Sequence, residues 1–426
     1  MKTVLFQLLF LILFFSGKNL SAQNSAPVKD TLRISLEEAE RIFLEKNYRL
    51  LAQKYNVDIA QSAIKQAGLW INPTFFYESV LYNPGTGKLF DYNAPNQGEY
   101  VVQVQKMVQL GGKRSKLVQL AETNKELEQL AFEDLLRILR LELYDDYINL
   151  YSNIKKLDML RKESDKFARM MELFKIEYAQ GAIAGYDLTR LQFEAQSIQV
   201  NINDLVNDMI NDQMSMRLML GIKENTFVQP TGLPASGAAA YTYTAMIDSA
   251  KSNRPDLKAS IVSVRYQEQS VRYERAKTIP NLVLGYNFDK FGNAFSNYHG
   301  VNVAFELPVF NRNQGNIKIA EIQAESAKKG SQNAELIVLQ EVNAAYDQLN
   351  NIQNLYRSID STYIKSLSNI SNEALKKYNE RSIGLLDFLD KIRTYKNGQI
   401  NLIELEKQYF SSRKYFNYVT NSKFYN

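Results

Sequence analysis

The stretches of sequence that decide the fold are NLVLGYNFDK at residues 281–290 and VNVAFELPVF at residues 301–310. In both, apolar side chains alternate with polar or small ones, so an extended strand would have one apolar face and one mostly polar face. Each run is near ten residues, the length that a tilted strand needs to cross a bilayer. The pattern predicts two membrane-barrel strands; a half-buried sheet in a soluble protein is the alternative.

The first half of the chain contains a weaker version of the same pattern. Strands are predicted at about residues 74–82 and 99–108, and the side chains expected to face water inside a barrel are Gln103, Gln105, Asn287 and Asn302. Four strands cannot close a barrel alone. Two chains would give eight strands, whose interior side chains normally fill, whereas three chains would give twelve and leave a lumen. The strand count therefore predicts at least a trimer.

The chain consists of two copies of one plan. Shifting the sequence by 207 places residues 47–50 on residues 254–257 and Pro73 on Pro280, and shifting it by 200 places Tyr178 on Tyr378. The order of the matches and their nearly constant offset indicate an internal repeat. The predicted organisation is a signal peptide at residues 1–22, a first repeat at 23–223, a linker at 224–243 and a second repeat at 244–426.

Each repeat is predicted to run helix, strand, strand, helix, with the last helix a hairpin of a long and a closing helix. The opening helices are expected at residues 35–68 and 244–278, the long helices at 113–180 and 315–380, and the closing helices at 186–220 and 385–421. At 1.5 Å per residue, a long helix spans on the order of 100 Å. Its apolar residues form two stripes with coiled-coil spacing, which indicates a neighbour on each side and favours a cylinder of helices. A long soluble antiparallel coiled coil is the alternative.

Composition excludes several classes of protein. Lys2 precedes an apolar run of about 12 residues, which is typical of a secretory signal and short for a membrane span. The 426 residues include no cysteine and one histidine, His299, and the net charge is +5, with no cluster of Lys and Arg. Thiolate chemistry is excluded, most acid–base and zinc chemistry is disfavoured, and nucleic acid is a poor candidate partner. We predict no enzyme activity, no cofactor and no metal site.

Five short segments resemble the TolC-like family of outer-membrane efflux proteins. Residues 378–395 are similar to the second helix-turn-helix tip of that family, above all in its heavy-metal efflux branch, and residues 178–188 are similar to the first tip. Residues 254–257 resemble the opening of the second repeat. Residues 69–73 and 307–310 resemble the junctions between helices and strands. The segments occur in the family's order and cover nearly all of the mature chain.

The resemblance implies a fold that is mainly α with a membrane β-barrel portion. Three chains would form a twelve-stranded barrel in the bacterial outer membrane, continued through the periplasm by an α-barrel. The implied function is a passive exit duct in a tripartite efflux system, with a periplasmic adaptor protein and an inner-membrane pump, most similar to the resistance-nodulation-division (RND) type. Heavy-metal cations are the favoured cargo, with drugs or secreted proteins as alternatives. A periplasmic coiled-coil adaptor or scaffold remains the alternative function.

The candidate gate is at the two tips. Asp387 and Asp390 are three residues apart and share one helix face, so three chains would stack two rings of carboxylates, which select for cations in pores. Acids in a first helical turn also favour the helix dipole, which is the structural alternative. Asp187 and Arg190 occupy the equivalent places in the first repeat.

By resemblance, Tyr178 and Tyr378 join the gate, with a packed interfacial tyrosine as the alternative. The first turn is expected to use Gly181 in a left-handed conformation, whereas Arg381 would be strained there, so Gly384 is expected to replace it. The predicted adaptor-contact residues are Gly181, Ala182, Ile183, Arg381, Ser382, Ile383 and Gly384. The loop at residues 83–98 is expected to be external and mobile.

Overall fold

The computed structural model describes residues 30–233, 242–291 and 295–425. The predicted signal peptide lies outside these ranges. The helices are α1 (Leu36–Lys46), α2 (Tyr48–Gly68), α3 (Lys113–Ala179), α4 (Gly185–Leu220), α5 (Tyr243–Asn253), α6 (Pro255–Ala276), α7 (Gln314–Ser358), α8 (Ser361–Asn379) and α9 (Leu385–Thr420). The strands are β1 (Thr31–Ile34), β2 (Thr74–Ser79), β3 (Tyr82–Asn83), β4 (Lys88–Leu89), β5 (Glu99–Val108), β6 (Phe227–Pro230), β7 (Leu282–Phe291) and β8 (Phe295–Ala304). None of these helices is both long and apolar enough to cross a membrane.

The opening helix of each repeat is broken, contrary to the continuous helices predicted. Asn47 separates α1 from α2, and its side chain accepts a hydrogen bond from the Leu50 amide at 3.1 Å, which starts a new helix. Arg254 separates α5 from α6 in an extended conformation, because the following Pro255 disfavours helical geometry at the preceding residue. Both breaks fall at matching positions of the repeat.

The two long helices differ. Helix α3 runs without interruption for 67 residues, about 100 Å. The helix predicted at residues 315–380 is instead two helices, α7 and α8, separated at Ile359 and Asp360. The Asp360 side chain accepts a hydrogen bond from the Tyr363 amide at 2.6 Å and caps α8. The polar cap provides the first turn of α8 with a partner, so the chain can start a new helix there.

A four-stranded antiparallel sheet joins the repeats in the order β2-β5-β7-β8. Its register places Gln103 beside Asn287 and Gln105 beside Gly285, which pairs in turn with Asn302. The predicted water-facing side chains therefore share one face of the sheet, here called the polar face. The opposite face, here called the apolar face, is well exposed in the single chain and includes Val104, Leu284, Tyr286, Val301 and Val303.

Two predicted strands have different boundaries, and one strand was not predicted. Strand β8 spans Phe295–Ala304 rather than 301–310, because β7 turns back after Phe291 and the segment that includes Pro308 leads into α7 instead. The first predicted strand, 74–82, ends at Ser79, and Tyr82 belongs to the short hairpin β3–β4. Part of the predicted linker is strand β6, which pairs in parallel with β1.

Helix packing places the two repeats side by side. Helix α3 contacts α2 and α4 of its own repeat and α6 and α9 of the second repeat, while α9 also contacts α7 and α8. The sheet lies at one end of this array, and the turns α3–α4 and α8–α9 lie at the other. The α3–α4 and α8–α9 hairpins share one apolar cluster near these turns, which fixes the two tips relative to each other.

Candidate functional site at the two hairpin tips

Both hairpins end in the same backbone turn. In the first, the Gly181 amide donates to the Tyr178 carbonyl at 2.9 Å; in the second, the Arg381 amide donates to the Tyr378 carbonyl at 2.9 Å. In each turn the next amide reaches back to the residue before the tyrosine at 2.8–2.9 Å, which completes a Schellman motif. The turn requires a left-handed residue, and the structure places Gly181 and Arg381 there, with φ values of 73° and 55°.

The prediction that Gly384 replaces Arg381 in this role is wrong. Gly384 is extended, with φ −79° and ψ 168°, and is the residue that precedes α9. The left-handed position is fixed by the hydrogen bonds that end α8, so it falls on residue 381 whatever side chain is present. An arginine in this conformation carries backbone strain, because its Cβ approaches the following carbonyl oxygen. The second tip is therefore strained where the first is relaxed.

The two tip tyrosines occupy different environments. Tyr378 stacks on Phe174 with ring centroids 5.8 Å apart and contacts Phe388 at 5.3 Å. Burial raises the pKa of Tyr378 to about 12, and the nearby carboxylates of Glu177 and Asp187 add to the rise. Tyr178, in contrast, is 51% exposed. One tyrosine packs between the hairpins and the other is open to contact from outside the chain.

The predicted gate carboxylates lie in the first two turns of the closing helices. Asp187 and Asp387 are each the third residue of their helix, and Asp390 follows one turn later. Asp387 and Asp390 are exposed, and within the described parts of the chain neither carboxylate forms a hydrogen bond or an ion pair. Arg190 lies over the Tyr186 ring at 4.1 Å. The two repeats thus present different charges at equivalent positions.

The predicted adaptor-contact residues divide into two groups. The isoleucines Ile183 and Ile383 pack against the apolar cluster beneath the tips. The others are exposed, namely Gly181, Ala182, Arg381, Ser382 and Gly384. The turns therefore have an anchored isoleucine and a small, polar outer surface.

A buried carboxylate that the sequence analysis missed joins the two hairpins. Glu194 of α4 is 5% exposed and accepts hydrogen bonds from Arg393 at 2.8 Å and from Lys396 at 3.2 Å, both on α9. It interrupts an apolar stripe between the buried residues Leu191 and Ile198. A carboxylate in the middle of such a stripe is the signal that could have revealed it, since a buried charge needs a partner.

Glu163 of α3 forms a second buried link. Its side chain is 1% exposed, and it accepts hydrogen bonds from the Ser371 hydroxyl of α8 at 3.1 Å and from Lys166 at 2.7 Å. It too interrupts an apolar stripe, between Leu160 and Phe167. The two glutamates, here called the clasp, bind each helix of the first hairpin to a helix of the second.

Comparison with known proteins shows similarity to outer-membrane efflux and resistance proteins. The model of the family described as "Outer membrane efflux protein" matches residues 246–414. The cobalt-zinc-cadmium resistance protein CzcC of Cupriavidus metallidurans is 21% identical over 374 residues, which cover 87% of this chain and 86% of CzcC. The toxin and drug export protein A of Aggregatibacter actinomycetemcomitans is 22% identical over 281 residues, which cover 62% of this chain and 60% of that protein.

The fold matches solved structures along most of its length. The Campylobacter jejuni CmeC outer membrane channel superposes with a TM-score of 0.76 at 15% identity, over 90% of this chain and 85% of that one. This match confirms the predicted fold class, mainly α with four strands per chain for a β-barrel. Family model, relatives and fold agree with the resemblance in the tip and junction motifs, and residues 246–414, most of the second repeat, match the outer membrane efflux protein family.

Proposed function

We propose that three copies of this chain form a passive duct through the outer membrane, continued by helices into the periplasm. The family is one of efflux proteins rather than enzymes, and its members lie in the outer membrane. The observation that carries the proposal is the sheet. Its polar face gathers amide side chains in adjacent rows, while its apolar face is exposed, as a strand between water and lipid requires.

The trimer follows from the open edges of that sheet. Strands β2 and β8 each have one unpaired edge within the described chain. Exposed strand edges are not tolerated in hydrocarbon, so closure requires neighbouring copies. Three copies provide twelve strands, enough to leave a lumen. The domains at residues 23–223 and 244–426 would each supply two of the four strands.

The hairpin tips are the proposed periplasmic gate. The gate comprises Tyr178, Asp187, Arg190, Tyr378, Asp387 and Asp390. The free carboxylates of Asp387 and Asp390 support this role, because three copies would stack two acidic rings at the narrow end. A periplasmic adaptor protein would contact the exposed turn residues and widen the tips. An inner-membrane pump, of RND type by resemblance, would supply the energy.

The proposed cargo is a heavy-metal cation. CzcC is by name a cobalt-zinc-cadmium resistance protein, and its similarity extends over 87% of this chain. The name of the second relative includes toxin and drug export, which makes such molecules the competing cargo. A strain lacking this protein should lose tolerance to cobalt, zinc and cadmium salts. Loss of tolerance to organic drugs alone would favour the competing cargo.

Single-channel conductance in a planar bilayer tests the duct and its gate. Purified wild-type protein should give small, cation-selective currents. Replacing both gate acids, Asp387→Ala with Asp390→Ala, should enlarge the currents or remove their selectivity. Asp158→Ala is the matched control, since Asp158 is exposed on α3 and pairs with Lys162. Unchanged currents in the double variant would place the gate elsewhere. Failure of folded protein to insert would favour the periplasmic scaffold.

A further inference from the structure

The connection between β2 and β5 has an internal framework, although the sequence predicts a mobile loop. Its centre is Asn83, which is 2% exposed. The Asn83 side chain donates to the carbonyls of Asp91 at 3.3 Å and Gln97 at 3.0 Å, and accepts from the Gly85 amide at 3.0 Å. Buried amides that use both donor and acceptor atoms hold a loop in one conformation. The short hairpin β3–β4 is part of this framework.

The framework displays apolar side chains outward. Five large side chains between β2 and β5 are between 42% and 65% exposed, here called the apolar loop: Leu81, Tyr82, Leu89, Phe90 and Tyr92. Phe90 has a left-handed φ of 55°, and its amide donates to the Leu81 carbonyl at 2.9 Å. Such a backbone is strained for a residue other than glycine. This strained backbone holds the Phe90 ring outward, where it stacks on no other ring among the described residues.

The apolar loop is continuous with the apolar face of the sheet. The Tyr92 ring meets the Tyr100 ring edge-on at 6.3 Å, and Tyr100 in turn contacts Phe288 at 5.8 Å. Lys290, which pairs with Tyr100 across the strands, donates to the Asn93 side chain at 3.3 Å. Tyr100 and Phe288 belong to the same side of the sheet as Val104 and Tyr286. The loop therefore lies over the apolar face, at the end of the sheet farthest from the helices.

We propose that the apolar loop inserts into the outer leaflet of the membrane, with Phe90 and Leu89 among the acyl chains. The proposal rests on the outer-membrane location. Continuity with the lipid-facing side of the sheet selects lipid as the occupant. Aromatic side chains are suited to the membrane interface, and the exposed ammonium of Lys88, beside Leu89, is placed to meet lipid phosphates. The loop would fix the depth of the barrel in the bilayer.

Tryptophan fluorescence tests the insertion directly, because the chain contains one tryptophan, Trp70. In a Trp70→Phe background, Phe90→Trp places the only tryptophan on the apolar loop, and excitation at a wavelength that tyrosine does not absorb isolates its emission. Tyr286→Trp, on the apolar face, is the positive control for membrane insertion. Tyr363→Trp, exposed on α8 far from the sheet, is the negative control. Each protein is reconstituted into phospholipid vesicles with acyl chains brominated at defined depths, and iodide serves as the aqueous quencher.

If the loop inserts into lipid, bromolipids should quench the tryptophan at residue 90 as strongly as the one at residue 286. Its emission maximum should be blue-shifted, and iodide should not quench it. Adding Asn83→Ala should reduce the bromolipid quenching at 90 alone, because the framework is lost. Quenching by iodide alone would place the loop in water and overturn the proposal. Protection from both quenchers would place it against a neighbouring copy and also overturn it. If Trp at 286 also escapes bromolipids, the proposed membrane duct fails instead.

Discussion

At the residue scale, the clasp shows how buried charge couples the two repeats. Glu194→Gln removes the partner of Lys396, whose side chain is 10% exposed. Breaking a buried pair costs about 3–5 kcal/mol, and the exposure of Arg393 moves the expected loss to about 3 kcal/mol. We expect the apparent melting temperature of the purified protein to fall by several degrees. Trypsin should also cut the hairpins faster.

The control for this variant is an exposed pair on the same hairpin. Glu172 is 72% exposed and pairs with Lys175 at 2.8 Å. Exposed pairs of this kind contribute about 0–1 kcal/mol, so Glu172→Gln should leave melting and proteolysis near the wild-type values. Equal effects of the two variants would show that burial of Glu194 does not strengthen the contact between the two hairpins.

A second residue-scale prediction concerns Asp146 of α3. Burial raises the pKa of Asp146 to about 7, with further rises from the carboxylates of Asp212, Glu142 and Asp145. Because the folded pKa lies above the unfolded value, this group's contribution to stability is full below about pH 4 and is lost as pH rises through 7. Asp146→Asn imitates the protonated form. It should raise the melting temperature at pH 8 and weaken its pH dependence between 4 and 7.

Asp58→Asn, on the exposed surface of α2, is the comparison for the Asp146 variant. It removes one carboxylate that is already exposed to water. Melting curves measured from pH 4 to pH 8 should overlay those of the wild type. If Asp146→Asn also overlays the wild type at every pH, its carboxylate is not held at a raised pKa in the assembled protein.

At the element scale, periodic patterns in the sequence predict the long helices and the strands, but not the places where a helix breaks or a strand ends. The long helix α3 follows from its two apolar stripes, and the tip turns follow from the match of residue 178 with 378. The helix break at Asn47 was missed because the Asn47 side chain that caps α2 is itself held by the Met219 carbonyl, which is 172 residues away. The position of β8 was misjudged because alternation continues to Val309, past the end of pairing at Ala304. Glu194 was missed because its partners belong to the other repeat.

The tip turns yield an element-scale prediction from one pair of equivalent residues. Arg381 is left-handed and strained, so Arg381→Gly should stabilise the second tip by about 0.5–1 kcal/mol, the relief of strain less the entropy of glycine. Gly181→Arg should destabilise the first tip by about 1 kcal/mol for the converse reason. Thermal melting of both variants measures the effect. Shifts of the same sign would contradict the equivalence of the two turns.

At the scale of the whole molecule, the two-repeat plan was predictable because each repeat needs the other to bury its apolar surface. By the same criterion, a single copy still has apolar surface to bury. Helix α4 leaves large apolar side chains exposed along one edge, in the order Phe193, Val200, Ile210, Met214 and Leu218. Such a stripe on a soluble segment marks an interface. In a closed ring, one edge of each copy must meet a different edge of the next.

The stripe on α4 therefore makes the assembly testable without disturbing the fold of one copy. Ile210→Ser with Met214→Ser removes apolar area from two side chains that are 59% and 50% exposed. Burial in the assembly at about 25 cal/mol per Å² would make both changes costly, whereas an isolated chain would tolerate them. We expect light scattering in detergent to show monomers with unchanged circular dichroism.

Asn211→Ser, an exposed neighbour on α4, should remain trimeric. If the double variant remains a trimer, the contact between copies lies elsewhere. An interface along α4 would lose its central apolar pair, and the copies would then bind each other more weakly.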